Sequence, residues 1–394
     1  MFQQAGLVFQ YFLLGNLTLQ VAYLLFFSIA GKISRIKLYP KAQKLRYMRI
    51  FIPAFKEDAV IIETAKNALG QNYPQALYEV IVIADSLKET TIKALKNLPV
   101  IVREVHFEKS TKGKALQKAV ELTAVNPVDI VIIIDADNHM ASDFLHTVNN
   151  AFDYGYLVVQ GHRLAKNPQS SFAFLDACAE QINNHIFRRG HVAVGLPSAL
   201  IGSGMGFEWN LFSSLINDIG ETSGEDKELE FKIAKKNIDI AFLDGAFVYD
   251  EKVAKPAVFA QQRSRWLASQ LEFFEKYFIE GISQLFKGNI AFFNKVFQMY
   301  LLPRVLLVAI LLVWLLLVML FSKQFLWYSV SLFFGLIIAL LLGIPYKWYN
   351  KQLLTAILQI PFAFLAFVKA IFNIGKAQKK FIHTPHGEFE TKKK

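Results

Sequence analysis

The chain has 394 residues, of which 54% are hydrophobic and 19% are charged, and its formal net charge is +11. A soluble globular domain contains fewer apolar and more charged residues, so the composition disfavours both disorder and a simple cytosolic domain. The single cysteine, Cys178, excludes an intrachain disulfide and a cysteine-based zinc site, and we expect it to be a small buried hydrophobe.

The N-terminal segment has the pattern of a membrane anchor. Residues 2–31 carry no charge, and the stretch 7–29 is long enough to cross a bilayer. It lacks a basic n-region and an evident cleavage site, so we predict a retained anchor over residues 1–31. Seven basic residues and no acidic ones follow, beginning in the linker 32–46. This pattern predicts a cytoplasmic flank that faces anionic lipid heads and not nucleic acid. These residues are Lys32, Arg35, Lys37, Lys41, Lys44, Arg46 and Arg49.

Strand and helix patterns alternate through the middle of the chain. Runs of β-branched and apolar residues predict strands at 47–55, 79–84, 129–134 and 157–160, and helical spacing predicts helices at 59–69 and 114–123. This alternation predicts a cytoplasmic α/β domain over residues 47–265, with its site at the carboxyl ends of the strands. Asp85, Asp135 and Asp137 all follow predicted strands.

An amphipathic pattern occupies the region 266–300. Apolar residues recur at steps of three or four, and polar residues lie between them. The pattern fits a helix on the membrane surface and an ordinary core-facing helix equally well. The apolar stripe consists of Leu267, Leu271, Phe274, Phe278, Ile282 and Leu285.

The C-terminal region 301–375 contains further membrane segments. The runs 305–321 and 325–344 predict a membrane hairpin joined by Ser322-Lys323-Gln324. The stretch 353–374 is interrupted by Gln359, Pro361, Lys369 and Asn373. We interpret it as re-entrant or interfacial, because a full span would place the basic tail 376–394 outside the cell, against the charge rule.

The strongest local chemical signal is Asp135-Ala136-Asp137, which follows the apolar run 132–134. Two carboxylates at a sheet edge suit Mg²⁺ or Mn²⁺, which would neutralise a substrate diphosphate. Such a pair also occurs by chance in solvated turns. No pair of histidines has convincing metal spacing. His139 could join the metal, although we expect it to face solvent.

Several further motifs accompany this pair in a specific order. In that order and spacing the chain resembles the membrane-embedded family 2 glycosyltransferases, the branch of cellulose, chitin, hyaluronan and poly-N-acetylglucosamine synthases. The resemblance runs from about residue 47 to 270 and extends to the flanking membrane segments. It rests on segments 50–57, Ile83-Ala84-Asp85-Ser86, 112–116, 200–207, Gly224-Glu225-Asp226, Gln262-Arg263-Ser264-Arg265-Trp266 and Thr384-Pro385-His386.

The resemblance implies a GT-A-like nucleotide-sugar-binding domain and a role for each matched position. Asp135 and Asp137 would hold the sugar nucleotide and its metal, with Asp137 the more direct ligand. Lys114 is our choice for the lysine near the donor, with Lys112 as the alternative. The remaining roles are uridine binding by Pro53, Ala54, Glu57 and Asp85, general base catalysis by Asp226, and closure over the diphosphate and shaping of the acceptor end by Gln262, Arg265 and Trp266.

The sequence departs from the family pattern at two positions. Lys56 stands where the first-strand motif often has Asn, and Glu89 stands where Asp is usual. The first change puts the identity of the donor sugar in doubt. Ordinary structural roles also exist for the site residues: Asp226 as a helix cap, and Arg265 with Trp266 as membrane anchors.

The expected function is that of a metal-dependent inverting hexosyltransferase in the cytoplasmic membrane. It would transfer a sugar from a UDP-sugar to a growing polysaccharide, with export partner proteins because few spans enclose little volume. The alternative within this class is a single transfer to a membrane lipid. A transporter or non-catalytic scaffold is the alternative from another class. It is disfavoured because the hairpin spans lack ionisable residues and because Asp137 and Asp226 are retained.

Overall fold

The computed structural model describes residues 2–220, 222, 224–252, 256–321 and 323–372. The strands are β1 (Met48–Phe55), β2 (Tyr78–Asp85), β3 (Ile101–Val105), β4 (Ile130–Ile133), β5 (His139–Met140), β6 (Val158–Ala165), β7 (Met205–Glu208) and β8 (Ile240–Asp250). The helices are α1 (Phe2–Ile33), α2 (Ile61–Leu69), α3 (Glu89–Lys96), α4 (Lys112–Thr123), α5 (Phe144–Asp153), α6 (Ser171–Asn183), α7 (His191–Ala193), α8 (Trp209–Ile216), α9 (Glu225–Lys235), α10 (Pro256–Phe286), α11 (Ile290–Tyr300), α12 (Arg304–Phe321), α13 (Leu326–Leu342), α14 (Lys351–Ile357) and α15 (Ile360–Phe372).

The strands form one mixed sheet in the order β3-β2-β1-β4-β7-β6-β8-β5. Strands β3, β2, β1 and β4 pair with one another in parallel. Strand β7 is antiparallel to β4 and β6, β8 is parallel to β6, and β5 is antiparallel to β8. The carboxyl ends of β1, β2 and β4 therefore meet at one edge, as parallel pairing requires. This confirms the predicted α/β domain between apolar helices.

The sheet is buried on both faces because its strands alternate between two apolar layers. Ile50 and Ile52 of β1 belong to a layer with α2 and α5, whereas Phe51 faces the opposite layer with α4, α8 and α9. All three side chains are fully buried. Burial on both faces explains why these strands read as continuous hydrophobic runs.

Two predicted helices begin earlier than expected. Helix α4 begins at Lys112 because the Thr111 hydroxyl accepts a hydrogen bond from the Lys114 backbone N–H at 3.2 Å and caps the helix. Helix α10 begins at Pro256, so the segment 262–266 lies inside this helix and not before it. Pro256 suits a first helical position because proline lacks the N–H that would stay unpaired there.

Helix α10 packs on the domain through a face offset from the predicted stripe. Phe273 and Tyr277 are buried against Phe231 of α9 and Phe292 of α11. The predicted stripe is largely on the surface: Leu267 is buried, but Leu271, Phe278, Ile282 and Leu285 are exposed. The helix thus has both a core-facing side and an exposed apolar side.

Three described helices are long and apolar enough to cross a membrane: Leu7–Ile33, Arg304–Phe321 and Lys351–Phe372. The predicted hairpin forms as α12 and the shorter α13, and the Trp314 indole N–H donates to Ser329 Oγ at 3.0 Å between them. The region predicted as re-entrant is divided into α14 and α15 between Ile357 and Ile360. Ser322, the predicted basic tail and the 384–386 motif lie outside the described residues.

Apolar packing joins these helices to the α/β domain. Leu17 and Leu24 of α1, Leu311 of α12 and Leu336 of α13 share one buried cluster with Cys178 of α6. Cys178 is buried, which confirms the prediction of a small buried hydrophobe. The long apolar helices therefore pack directly on the domain that carries the predicted site.

Candidate active site

A cavity of about 600 Å³ opens at the carboxyl ends of β1, β2 and β4. It extends from these strand ends to helices α10, α12 and α15. Ten of the eleven residues predicted for the site line it: Pro53, Ala54, Glu57, Asp85, Asp135, Asp137, Asp226, Gln262, Arg265 and Trp266. Residues that are more than two hundred positions apart in the sequence thus share one cavity.

The ends of β1 and β2 are shaped by two residues in the left-handed region. Lys56 and Ser86 each have a φ of 56°. The Lys56 backbone N–H donates to the Asp85 carbonyl at 3.1 Å, and the Ser86 hydroxyl donates to the Asp85 carboxylate at 2.9 Å. Asn adopts positive φ more readily than Lys, so the substitution noted at position 56 carries a local conformational cost. The backbone turn forms nevertheless and leaves Asp85 buried against the cavity.

Asp135 is held by contacts from helix α4 and from the segment before β7. Its backbone N–H donates to Ser203 Oγ at 3.0 Å, and its carboxylate accepts a hydrogen bond from the Lys112 ammonium. The same ammonium donates to the carbonyl of Gly202, whose φ of 82° suits glycine. Burial raises the pKa of Asp135 although the charge of Lys112 lowers it. Lys112 therefore ties α4 to the strand end and to the segment before β7.

Of the two candidate lysines, the structure brings Lys112, the alternative, into the cavity and leaves Lys114, the preferred one, outside it. Lys112 lines the cavity, whereas Lys114 is absent from its wall. The Lys114 ammonium instead donates to the Lys109 carbonyl at 3.4 Å. Residues two positions apart on a helix point in directions that differ by about 200°, so Lys112 and Lys114 cannot face the same side.

Asp137 lies deeper than Asp135 and is 8% exposed. Its carboxylate accepts a hydrogen bond from the Asn138 amide at 2.8 Å, and its carbonyl accepts one from the Lys166 ammonium. His139 follows at the start of β5 and is partly buried. Burial, with a contribution from Lys166, lowers the pKa of His139, so the neutral ring is favoured.

The donor set fits a hard divalent cation. Among the described residues, no group of three or more His, Cys, Asp or Glu side chains gathers to hold a metal. The two carboxylates of Asp135 and Asp137 nevertheless line the same cavity. Mg²⁺ is commonly bound by one or two carboxylates together with substrate phosphates, so this arrangement is sufficient for an ion that arrives with a diphosphate.

Two acidic residues begin helix α9 next to these aspartates. Asp226 lies in the first turn and lines the cavity; the cap position is occupied by Gly224, so Asp226 is not the helix cap. Glu225 is buried, with Oε1 3.4 Å from the Lys112 ammonium. Burial raises the pKa of Glu225 to about 7, with Lys112 acting against the increase and Asp226 adding to it. Acidic residues in the first helical turn are also favoured by the helix dipole.

Helix α10 brings the segment 262–266 to the cavity wall next to the start of α9. Gln262, Arg265 and Trp266 all line the cavity, and Trp266 is 40% exposed. Burial lowers the pKa of Arg265, while the charge of Glu225 acts in the opposite direction. The Arg263 guanidinium stacks 4.1 Å from the centre of the Trp266 ring and pairs with Asp176 of α6. Arg263 thus orients the tryptophan.

A buried ion network continues from the aspartates into the protein. Arg163 of β6 donates to Glu180 of α6 at 2.7 Å, and Arg188 reaches the same carboxylate at 3.3 Å from the π-helical stretch Asn184–Gly190. Burial acts to raise the pKa of Glu180, but the charges of Arg163, Lys252 and Arg188 outweigh it and hold the pKa well below its usual range. Glu180 is therefore a buried carboxylate shared by several cations.

Sequence reasoning missed most of this network. Arg163, Arg188 and Arg304 line the cavity, yet no motif marks them. Arg263 and Glu225 lay inside quoted motifs but received no role. The only usable signal in the sequence was that Arg263 and Glu225 each lie next to a residue with an assigned role.

A profile described as "Glycosyltransferase like family 2" matches residues 46–269 of the chain, which include every predicted site residue. The protein belongs to this family. Its sheet edge, aspartate pair and α9 carboxylates all lie within the matched region.

Two curated relatives have the same name, "Beta-monoglucosyldiacylglycerol synthase", and come from Nostoc sp. and Trichormus variabilis. Each is 28% identical over 229 residues, which cover 56% of this chain and 48% of the relative. The aligned part thus spans about half the length of these relatives.

A mannosyltransferase from Pyrobaculum calidifontis, solved with GDP-Man and Mn²⁺, has a similar structure. The TM-score is 0.53 at 17% identity, with 87% of this chain and 96% of that one covered. The likeness confirms the expected GT-A-like fold.

Proposed function

We propose that this glycosyltransferase moves a hexose from a nucleoside-diphosphate sugar to a hydroxyl group of a membrane lipid, with inversion at the anomeric carbon. The family supports sugar transfer. The curated relatives are named as synthases of a glucosylated diacylglycerol. Their names favour the lipid acceptor, the alternative from the sequence, over the growing polysaccharide that the sequence placed first.

The observation that carries the proposal is the composition of the cavity wall. One cavity contains the carboxylates of Asp135 and Asp226 and also the apolar residues Leu301, Leu302 and Phe367. Leu301 and Leu302 directly precede α12, and Phe367 lies in α15; both helices are in segments apolar enough to cross a membrane. A lipid whose chains remain in the bilayer could thus present its headgroup to the carboxylates without leaving the membrane.

Asp226 is the proposed general base. A lipid hydroxyl is a weak nucleophile near neutral pH, so a carboxylate must accept its proton as the new bond forms. Asp226 lines the cavity, and burial raises the pKa of the neighbouring Glu225 to about 7. A partly protonated Glu225 would place less negative charge beside Asp226. One displacement at the anomeric carbon inverts its configuration.

The departing diphosphate requires positive charge. Lys112 and Arg265 both line the cavity and can stabilise the charge that develops on the leaving group. Asp135 and Asp137 would hold Mg²⁺ or Mn²⁺, which supplies Lewis-acid stabilisation of the diphosphate when bound. Lys112 also reduces repulsion among the carboxylates around it.

The proposed donor is a UDP-sugar, with the nucleoside at the ends of β1 and β2. Pro53, Ala54, Glu57 and Asp85 line this end of the cavity. Their position at the carboxyl ends of parallel strands is where open α/β sheets bind ligands.

The proposed location is the cytoplasmic membrane, with a cytoplasmic catalytic domain. The apolar helices support membrane association, and the basic cluster after α1 supports the orientation. The re-entrant or interfacial placement of 353–374 stays a prediction. Its packing supports it: Phe367 of α15 contacts Phe259 of α10 with ring centres 5.8 Å apart.

The deciding experiment identifies the product. Purified full-length protein would receive each labelled UDP-sugar with extracted membrane lipids, and the product would be separated by organic extraction and analysed by mass spectrometry. We expect an organic-soluble lipid that has gained one hexose, formed with stoichiometric UDP release. A ladder of long water-soluble chains would instead establish a polysaccharide synthase. The Asp226→Asn variant is the matched control for non-enzymatic transfer.

A further inference from the structure

Three arginines converge on the part of the cavity next to the membrane helices. Arg188 lies in the π-helical stretch after α6, Arg263 lies in α10, and Arg304 is the first residue of α12. All three line the cavity. Arg188 and Arg263 are also among the strongest electrostatic neighbours of Arg304, so like charges are held together.

Each of these guanidinium groups has a buried nitrogen without a hydrogen-bond partner among the described residues. These atoms are Nη1 of Arg304, Nε of Arg263 and Nε of Arg188. A buried donor without an acceptor costs about 1–3 kcal/mol. These donors are a substantial cost, and a ligand with several acceptor oxygens would remove it once the side chains turn these N–H groups towards the cavity.

The carboxylates nearby do not compensate all this charge. Asp176 pairs with Arg263, and Glu180 is shared by Arg188, Arg163 and Lys252. Arg304 makes no salt bridge within the described part of the chain, and its Nη2 donates to the Ala179 carbonyl at 3.2 Å; Glu180, already shared by the other cations, is the carboxylate that acts on it electrostatically. A buried cation that shares one carboxylate with several others is incompletely compensated, so the wall is suited to binding an anion.

We propose that Arg188, Arg263 and Arg304 bind a phosphate group carried by the acceptor lipid, an assignment that rests on the proposed lipid acceptor and specifies its headgroup. Guanidinium groups match phosphate oxygens in geometry and charge. Arg304 is the first residue of a helix that is apolar enough to cross a bilayer. In the sequence it directly follows Leu301, Leu302 and Pro303, which also line the cavity. This is the depth at which lipid phosphates lie.

The test compares two acceptors that both carry a free hydroxyl but differ in phosphate. Full-length protein in maltoside detergent, which contains no phosphate, would receive diacylglycerol or phosphatidylglycerol in mixed micelles, and glycolipid formation would be measured. We expect a KM for phosphatidylglycerol at least about tenfold below that for diacylglycerol. Arg304→Gln should raise the phosphatidylglycerol KM about ten- to hundredfold with little effect on the donor KM, and Arg304→Lys should restore part of the loss.

Arg35→Gln is the matched control, because Arg35 is an exposed arginine that follows the first apolar helix and lies outside the cavity. It should leave both KM values unchanged. An equal loss in Arg35→Gln would mean that overall surface charge attracts the lipid. An increase in the donor KM of Arg304→Gln would place the donor diphosphate at these arginines. Equal use of the two lipids by the unaltered protein would also overturn the proposal.

A second measurement separates this site from the proposed function. Inorganic phosphate should raise the unfolding temperature of the unaltered protein, and Arg304→Gln should lose that increase, since a ligand that binds only the folded state stabilises it. If neither acceptor gave a lipid product, the proposed function would be refuted, and this measurement would still be valid. If phosphate did not stabilise the unaltered protein, the site itself would be refuted. Stabilisation by phosphate combined with equal use of the two lipids would assign the site to free phosphate and overturn the lipid assignment.

Discussion

Replacing Lys112 by methionine tests the centre of the site most directly. Methionine keeps the length of the chain but removes the ammonium that contacts Asp135, the Gly202 carbonyl and Glu225. Lys114→Met is the matched control, since it removes the same charge from the same helix outside the cavity.

The magnitude follows from the contacts. A hydrogen bond between charged groups contributes about 1.5–3 kcal/mol, and a donor that stabilises developing charge is worth about a hundredfold in turnover. We therefore expect Lys112→Met to lower kcat about a hundredfold. Lys114→Met should stay within about twofold of the unaltered enzyme, as expected for a surface substitution.

The pH dependence should change as well. The distance of 3.4 Å between Lys112 and Glu225 corresponds to about 1 kcal/mol in water and about 5 kcal/mol near a protein surface. Loss of the cation favours the protonated carboxyl, so the pKa of Glu225 should rise from about 7 by roughly one to four pH units. The acid limb of the kcat/KM profile should move to higher pH as well, because the ammonium that favours the ionised form of the carboxylates around it is lost.

The assay is UDP release measured over a range of donor concentrations and of pH, which gives kcat and kcat/KM at each pH. One result would refute the reasoning: near-normal turnover and an unshifted acid limb in Lys112→Met together with a large loss in Lys114→Met. That outcome would return the donor-side role to Lys114, the residue first preferred from the sequence.

Three further predictions concern the base, the metal and a buried ion cluster. Asp226→Asn should lower turnover at least about a hundredfold while donor binding, measured by titration, survives; near-normal turnover would remove Asp226 from the mechanism. EDTA should abolish UDP release and Mg²⁺ or Mn²⁺ should restore it, whereas full activity after thorough chelation would contradict the two-carboxylate site. Burial acts to raise the pKa of Glu230, but the charges of Lys227 and Lys295 outweigh it and lower the pKa from 4.5 to about 2. This depressed pKa stabilises the fold by about 3 kcal/mol above pH ~4.5, and the stabilisation is lost as pH falls towards 2. Thermal unfolding should show this loss in the unaltered protein and not in Glu230→Gln, which should be destabilised by about 3–5 kcal/mol at neutral pH; equal acid sensitivity of the two would contradict the pairing.

The sequence was sufficient for features that depend on local pattern. Strand β1 at Met48–Phe55 and the strand-end aspartates Asp85 and Asp135 could be predicted, because strands buried on both faces are continuous apolar runs and parallel strands end at one edge. The long apolar helices could be predicted for a similar reason, since an uninterrupted apolar run of about 20 residues is visible in the sequence regardless of its partners.

Features that depend on how elements dock required the tertiary structure. Lys112 and Lys114 are equivalent in the sequence, and only the packing of α4 on the sheet turns one of them into the cavity. Helix α10 carries apolar residues around more than one face, and only its packing against α9 and α11 decides that Phe273 and Tyr277 are buried while Leu271 and Phe278 remain exposed. The membrane-side arginines come from three separate elements. An isolated arginine in a sequence carries no sign of its neighbours, because electrostatic interaction depends on distance in space and not on distance along the chain.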